Sequence, residues 1–84
     1  MRNKKEVTKA INFFKKLKTT LPEHSVFGDP NHLIINAQLD VLEGKLNIDA
    51  IDNLDEEEYG MIGVDEITKV YDWLMGKNIN IFEE

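Results

Sequence analysis

"PNHLIINAQLDVLEG", residues 30–44, carries the clearest indication of the architecture. Wound into a helix, this stretch is apolar over most of its circumference, so we expect neighbours to cover it on several sides and place it at the centre of a bundle. Asp29 precedes it as a cap, Pro30 suits the first helical position, and Gly44 is its C-terminal stop. Its narrow polar strip consists of Asn36, Asp40 and Glu43, with His32 at its edge.

Two longer amphipathic helices are predicted on either side of the central one. In residues 4–20 the apolar side chains fall within an arc of roughly 160°, and lysines occupy much of the remaining surface. Pro22 ends this helix. In residues 56–75 the apolar side chains again share one face, and Gly76 is the C-cap.

A short helix at about residues 48–54, capped by Asn47, connects the central helix to the last one. The predicted fold is therefore all-α, a compact bundle of three main helices (about 4–20, 30–43 and 56–75) with this short helix and an extended C-terminal tail. The 84 residues are expected to form a single helical domain (1–84), divided into a basic helix (1–22), an acidic helical body (23–76) and the tail (77–84).

Two features of this fold leave alternatives open. Gly60 and Gly63 lie on the apolar face of the last helix, where each glycine costs about 1 kcal/mol relative to alanine. We favour a close helix crossing as the reason, and the alternative is a break near Gly63 with a restart capped by Asp65. The apolar residues of the tail, 77–84, either pack across the bundle or reach a second subunit.

Composition excludes several classes of protein. The chain has no cysteine, which rules out a disulfide framework and a thiolate zinc site. No stretch approaches 18 consecutive apolar residues, and the first residues lack the unbroken apolar core of a secretion signal. We therefore expect a cytoplasmic protein with no membrane association.

Charge is divided unevenly along the chain. Residues 1–22 carry seven basic groups and one acid, a net charge of +6, whereas residues 23–84 carry three basic groups and fifteen acids, a net charge of −12. The basic helix has three interpretations: it contacts nucleic acid, it lies on an anionic membrane, or it packs along its own acidic body with its lysines solvated or near the acids. We favour the last one, without direct nucleic-acid binding.

Residues 47–58 align with a calcium-binding EF-hand loop. Oxygen-bearing side chains occupy loop positions 1, 3, 7, 9 and 12, namely Asn47, Asp49, Asn53, Asp55 and Glu58. Ile51, however, has no ligand atom at position 5, and Asp52 replaces the glycine that makes the sharp turn at position 6. We therefore predict no metal site here.

Catalytic patterns are similarly weak. His24 and His32 lack ligand spacing, and Ser25 has only His24 beside it, with no group to orient a nucleophilic triad. No glycine-rich phosphate loop is present in the sequence. We predict a protein that is not an enzyme and binds no cofactor.

The acid run "NLDEEEYG", residues 53–60, has two interpretations. Asp55 and Glu58 have the spacing of a capping box, which makes the run the start of a helix. Acids that capping does not need could instead present carboxylates to a basic groove that normally holds nucleic acid. The candidate partner-binding residues are Asp49, Asp52, Glu56 and Glu57.

One resemblance covers residues 30–76, about half of the chain. "AQLDVLEG" at 37–44, an acidic stretch, and "YDWLMG" at 71–76 resemble a pattern of small uncharacterised helical proteins of bacteriophages and prophages. That pattern combines an A-Q-x-x-V-L-E-G helix with a W-L-x-G helix end. The resemblance implies a helical bundle and a phage origin, and it supplies no catalytic residues.

Together these observations predict a non-enzymatic binding protein. The favoured hypothesis is a phage or mobile-element accessory protein that binds and inhibits a host protein, such as a nucleic-acid-handling defence or transcription component, through its acidic surface. The alternative is a structural or assembly protein that forms homo-oligomers through the first helix or the C-terminal tail.

Overall fold

A computed structural model describes residues 1–20 and 30–82 of the chain, without the side chains of Pro30, Asn31, Glu56 and Glu58. Its helices are α1 (Lys4–Thr19), α2 (Pro30–Leu42), α3 (Ile48–Asp52), α4 (Glu56–Tyr59) and α5 (Met61–Leu74). Within these described ranges there is no β-strand, and the predicted all-α bundle is confirmed. The predicted cap Asp29 lies outside the described residues.

The central position of α2 is confirmed by its contacts with α1, α4 and α5. Its inward residues belong to one continuous core with residues of α1, α3, α5 and the tail. The core residues of α2 are Ile35, Ala37, Leu39, Val41 and Leu42.

Helix ends follow the local signals in the sequence. The side-chain oxygen of Asn3 accepts a hydrogen bond from the Glu6 N–H at 2.9 Å, and that of Asn47 accepts one from the Ala50 N–H at 2.9 Å. At the end of α2, the Gly44 N–H bonds to the Val41 carbonyl and the Lys45 N–H to the Asp40 carbonyl, the pair of bonds that defines a Schellman motif. The bonds from Gly76 and Lys77 to the last turn of α5 repeat this arrangement.

The predicted helix 56–75 is corrected at one point, since Gly60 separates α4 from α5. Gly60 has φ +77° and ψ 152°, a backbone conformation that is open essentially only to glycine. The break therefore falls at Gly60, whereas the alternative interpretation places it near Gly63. Asp65 lies inside α5 and does not cap it.

Gly63 marks a close crossing of α2 and α5, as favoured from the sequence. A Cβ atom at this position would lie 2.8 Å from Cδ1 and 2.9 Å from Cγ1 of Ile34. Gly63 is buried, and these distances leave no room for a methyl group unless the Ile34 side chain moves.

The tail packs across its own bundle, the first of the two predicted alternatives. Ile81 is buried, and the Phe82 ring makes edge-to-face contacts with Phe13 at 5.2 Å and with Trp73 at 5.9 Å. The tail thus closes the core against α1 and the end of α5.

Candidate interaction surfaces

Residues 46–68, which we call the acidic segment, contain eight acidic residues and no lysine or arginine. Its described carboxylates are exposed, and they belong to Asp49, Asp52, Asp55, Glu57, Asp65 and Glu66. Among the described residues, the ion pairs are Arg2–Glu6, Lys45–Glu43 and Lys77–Asp72. The described carboxylates of the acidic segment therefore have no cationic partner within this part of the chain.

The predicted partner-binding residues lie on two neighbouring helices of this segment. Asp49 and Asp52 are three residues apart on α3, a spacing that puts side chains on the same face of a helix. Glu57 is exposed in α4, and Glu56 lies in the same helix with its side chain outside the description. Asp55 is used differently, because its Oδ1 accepts the Glu57 N–H at 2.9 Å as the predicted cap; its capping-box partner Glu58 has no described side chain.

Two large apolar side chains, Met61 and Ile62, stand exposed directly after the break at Gly60. Met61 is 68% exposed and Ile62 is 76% exposed, although both belong to the first turn of α5. We call them the apolar pair. Neither residue is among the predicted partner-binding residues, although both fall outside the apolar face predicted for this helix, a position that could have identified them.

Two of the side chains that align with an EF-hand loop, those of Asn47 and Asp55, serve as helix caps. Ile48–Asp52 is helical where the loop would turn, and Asn47 and Asp55 accept hydrogen bonds as caps. In the described residues, no group of three or more histidine, aspartate or glutamate side chains is arranged to hold a metal ion. His24 and Ser25 lie outside the described residues.

The basic face of α1 is exposed along its whole length. It carries Lys4, Lys5, Lys9, Lys15, Lys16 and Lys18. Lys9 extends over the Phe82 ring, with its Nζ 5.5 Å from the ring centroid. Since none of these lysines appears in an ion pair within the described part of the chain, direct pairing with the acidic body does not hold α1 in place. The apolar face does so, with Ala10 and Phe14 buried.

Arg2 has a different role from the lysines of α1. Its backbone N–H bonds to the Leu74 carbonyl at 2.8 Å, and its Nε bonds to the Trp73 carbonyl at 2.8 Å. Its Nη2 reaches the Lys77 carbonyl at 2.7 Å, and its guanidinium carbon lies 4.7 Å from the centroid of the Trp73 ring. Arg2 therefore joins the start of the chain to the end of α5 and to the tail.

Comparisons with protein-family models, curated proteins and solved structures found no match to this chain. The resemblance to small phage and prophage proteins accordingly stays a prediction. Among the described helices, none is long and apolar enough to cross a membrane.

Proposed function

We propose that this protein is a non-enzymatic binding protein that docks on a basic surface of a partner protein through the acidic segment and the apolar pair. The observation that supports this proposal is the proximity in sequence of exposed carboxylates without cationic partners and two exposed apolar side chains. Protein interfaces commonly combine a few apolar anchors with a polar rim.

The two kinds of side chain would contribute differently to binding. Burial of an apolar side chain of this size stabilises a complex by about 1.5–3 kcal/mol, so Met61 and Ile62 would supply much of the affinity. Methionine also adapts its shape to irregular partner surfaces. The carboxylates would accelerate association and select basic partners, and their effect would weaken as salt screens the charges.

In its narrower form, the proposal is that of a phage or mobile-element accessory protein that inhibits its partner. A basic groove that normally holds nucleic acid would accept the carboxylates of Asp49, Asp52, Glu56 and Glu57 in place of phosphates. Occupation of that groove would exclude the nucleic acid, without any catalytic step.

The test is affinity capture from a lysate of the cells that carry the gene, followed by a titration with the purified captured protein. We expect a basic partner that is released as the salt concentration rises. The double variant Met61→Ser/Ile62→Ser should weaken binding about 10-fold or more, because it removes both anchors. The quadruple amide variant D49N/D52N/E56Q/E57Q should slow association at low salt and lose most of the salt dependence.

Matched controls separate these effects from net charge and from general surface change. D40N/E43Q/E83Q/E84Q also removes four negative charges, and Met75→Ser removes another exposed methionine, which is 40% exposed. Both controls should bind like the wild type. If neither test variant alters binding while both stay folded, or if the controls weaken binding equally, the acidic segment does not form the interface.

The alternative function, self-assembly, makes different demands on the structure. The contacts of Phe82 with Phe13 and Trp73 occupy the tail within its own chain, so assembly through the tail would have to open them. The exposed basic face of α1 stays available for assembly. A single monomeric species of the full chain by light scattering, across the concentrations used for binding, would favour the partner-binding function.

A further inference from the structure

Gln38 is the only buried polar residue among the side chains that the structure describes. It lies in α2 between Ala37 and Leu39, in a helix that is otherwise apolar on its inner faces, and it is 7% exposed. Buried side-chain amides nearly always form hydrogen bonds. Within residues 1–20 and 30–82, however, the Gln38 amide forms none with the protein.

The Gln38 amide keeps access to solvent through a cleft. Every fully buried side-chain oxygen or nitrogen among the described residues has a hydrogen-bond partner, so the unbonded amide atoms of Gln38 must reach a surface. Gln38 lines a cleft enclosed by α1, α2, α5 and the tail. The apolar walls of this cleft include Phe14 of α1, Val70 of α5 and Ile81 of the tail.

Unused backbone donors lie beside the same cleft. The tail has no regular secondary structure at Asn80 and Ile81, and both residues line the cleft. Their N–H groups donate no hydrogen bond to a described group, whereas the next N–H, that of Phe82, bonds to the side chain of Asn80 at 3.0 Å. Lys69 and Glu66 stand at the polar rim.

We propose that this cleft binds an extended peptide segment, with a large apolar side chain against Phe14 and Val70 and a peptide group bonded to the Gln38 amide. A carboxamide both donates and accepts hydrogen bonds, so it complements the C=O and N–H of one peptide unit. The N–H groups of Asn80 and Ile81 add further donors for a peptide carbonyl, so main-chain bonds would supply affinity and the apolar walls would supply selectivity. A purely apolar ligand would leave the Gln38 amide without a partner and displace its water.

The test uses the full chain labelled with ¹⁵N and the uncharged probe N-acetyl-leucyl-phenylalanine amide, followed by NMR titration. We expect saturable shifts of the Gln38 side-chain NH₂ signals and of the Asn80 and Ile81 amide signals. Toluene serves as the apolar probe, and it should bind more weakly and leave the Gln38 NH₂ signals in place.

The decisive variant is Gln38→Met, which keeps the length of the side chain and removes the amide. It should weaken binding of the dipeptide about 2- to 10-fold, as expected for the loss of a neutral hydrogen bond, while its melting temperature stays equal or rises. Asn36→Ala removes an exposed amide from the same helix and should alter neither property.

Several results would overturn the proposal. The first is the absence of saturable shifts at the cleft. The next two are equal affinity of Gln38→Met and the wild type for the dipeptide, and toluene binding as tightly as the dipeptide. The last is a lower melting temperature of Gln38→Met, because it would show that the amide has a structural role. The Met61→Ser/Ile62→Ser variant should keep the dipeptide site, so failure of this proposal and failure of the proposed partner interface are distinguishable.

Discussion

Gly63 shows how one missing side chain sets the distance between two helices. Alanine would be the better residue for an α-helix by about 1 kcal/mol. At this crossing, however, the added methyl group would meet two carbon atoms of Ile34 at less than 3 Å. Cδ1 is the mobile end of that side chain, but Cγ1 can move only by rotation about χ1, which is stiff in a β-branched residue.

We expect Gly63→Ala to lower the free energy of unfolding by about 1 kcal/mol, because an overpacking cost of about 1–3 kcal/mol outweighs the gain in helix propensity. Urea unfolding measures it. In the background of Ile34→Ala, which removes both clashing atoms, the same substitution should become neutral or stabilising. A Gly63→Ala protein as stable as the wild type in the Ile34 background would contradict the close crossing.

At the scale of elements, the junction between α4 and α5 depends on the backbone of Gly60. Its Cβ position is open, with no atom within 4 Å, so the constraint there is conformational and not steric. The break separates α4 from α5, and the first turn of α5 has no side-chain cap. Met61 and Ile62 in that turn are exposed.

Substitution of Gly60 by L-alanine is expected to cost about 1–3 kcal/mol of stability, the usual strain of this backbone region for an L-residue. D-alanine, introduced by chemical synthesis, adopts positive φ without strain and should be at least as stable as the wild type. Thermal unfolding of the two synthetic proteins compares them directly. Equal stability of both forms would show that the backbone at Gly60 is not constrained.

For the whole molecule, Arg2 and Phe82 hold the first and the last described residues on the bundle. The Trp73 and Leu74 carbonyls belong to the last turn of α5, and Arg2 binds both of them. The Leu74 carbonyl accepts the Arg2 backbone N–H, and the Trp73 carbonyl accepts the Arg2 Nε–H in addition to the Gly76 N–H. A cation at a helix C-terminus is also favoured by the helix dipole. Glu6 also pairs with the guanidinium, and the distance from Arg2 Nη1 to Glu6 Oε2 is 3.1 Å.

Arg2→Lys should therefore destabilise the protein although it preserves the charge. The ammonium group cannot reproduce the planar fork that bonds the Trp73 and Lys77 carbonyls, and we expect a loss of about 1–3 kcal/mol. Urea unfolding followed by the fluorescence of Trp73, the single tryptophan, gives the value. Lys5→Ala, at an exposed position on α1, should change stability little, and an equally small effect of Arg2→Lys would remove Arg2 from this structural role.

The sequence was sufficient where the controlling interactions are local. The apolar pattern of α2, the caps Asn47 and Asp55, and the glycine stops after α2 and α5 act over a few residues, so their positions follow from helix periodicity and backbone hydrogen bonding. The candidate acidic surface was also accessible, because charge is counted directly from the chain.

Other features depended on groups that lie far apart in the sequence. Gly60 and Gly63 are both glycines, three positions apart. Only the presence of Ile34 opposite Gly63 distinguishes the helix crossing there from the helix break at Gly60. In the sequence Arg2 resembles its lysine neighbours. Its distinct role depends on Trp73 at the end of α5, 71 residues away. In the sequence Gln38 is one polar residue among several, and its burial depends on the surrounding helices. The local conformational propensity of each of these residues is the same whichever structural role it takes. Contacts with groups distant in the sequence supply the difference in free energy between the roles.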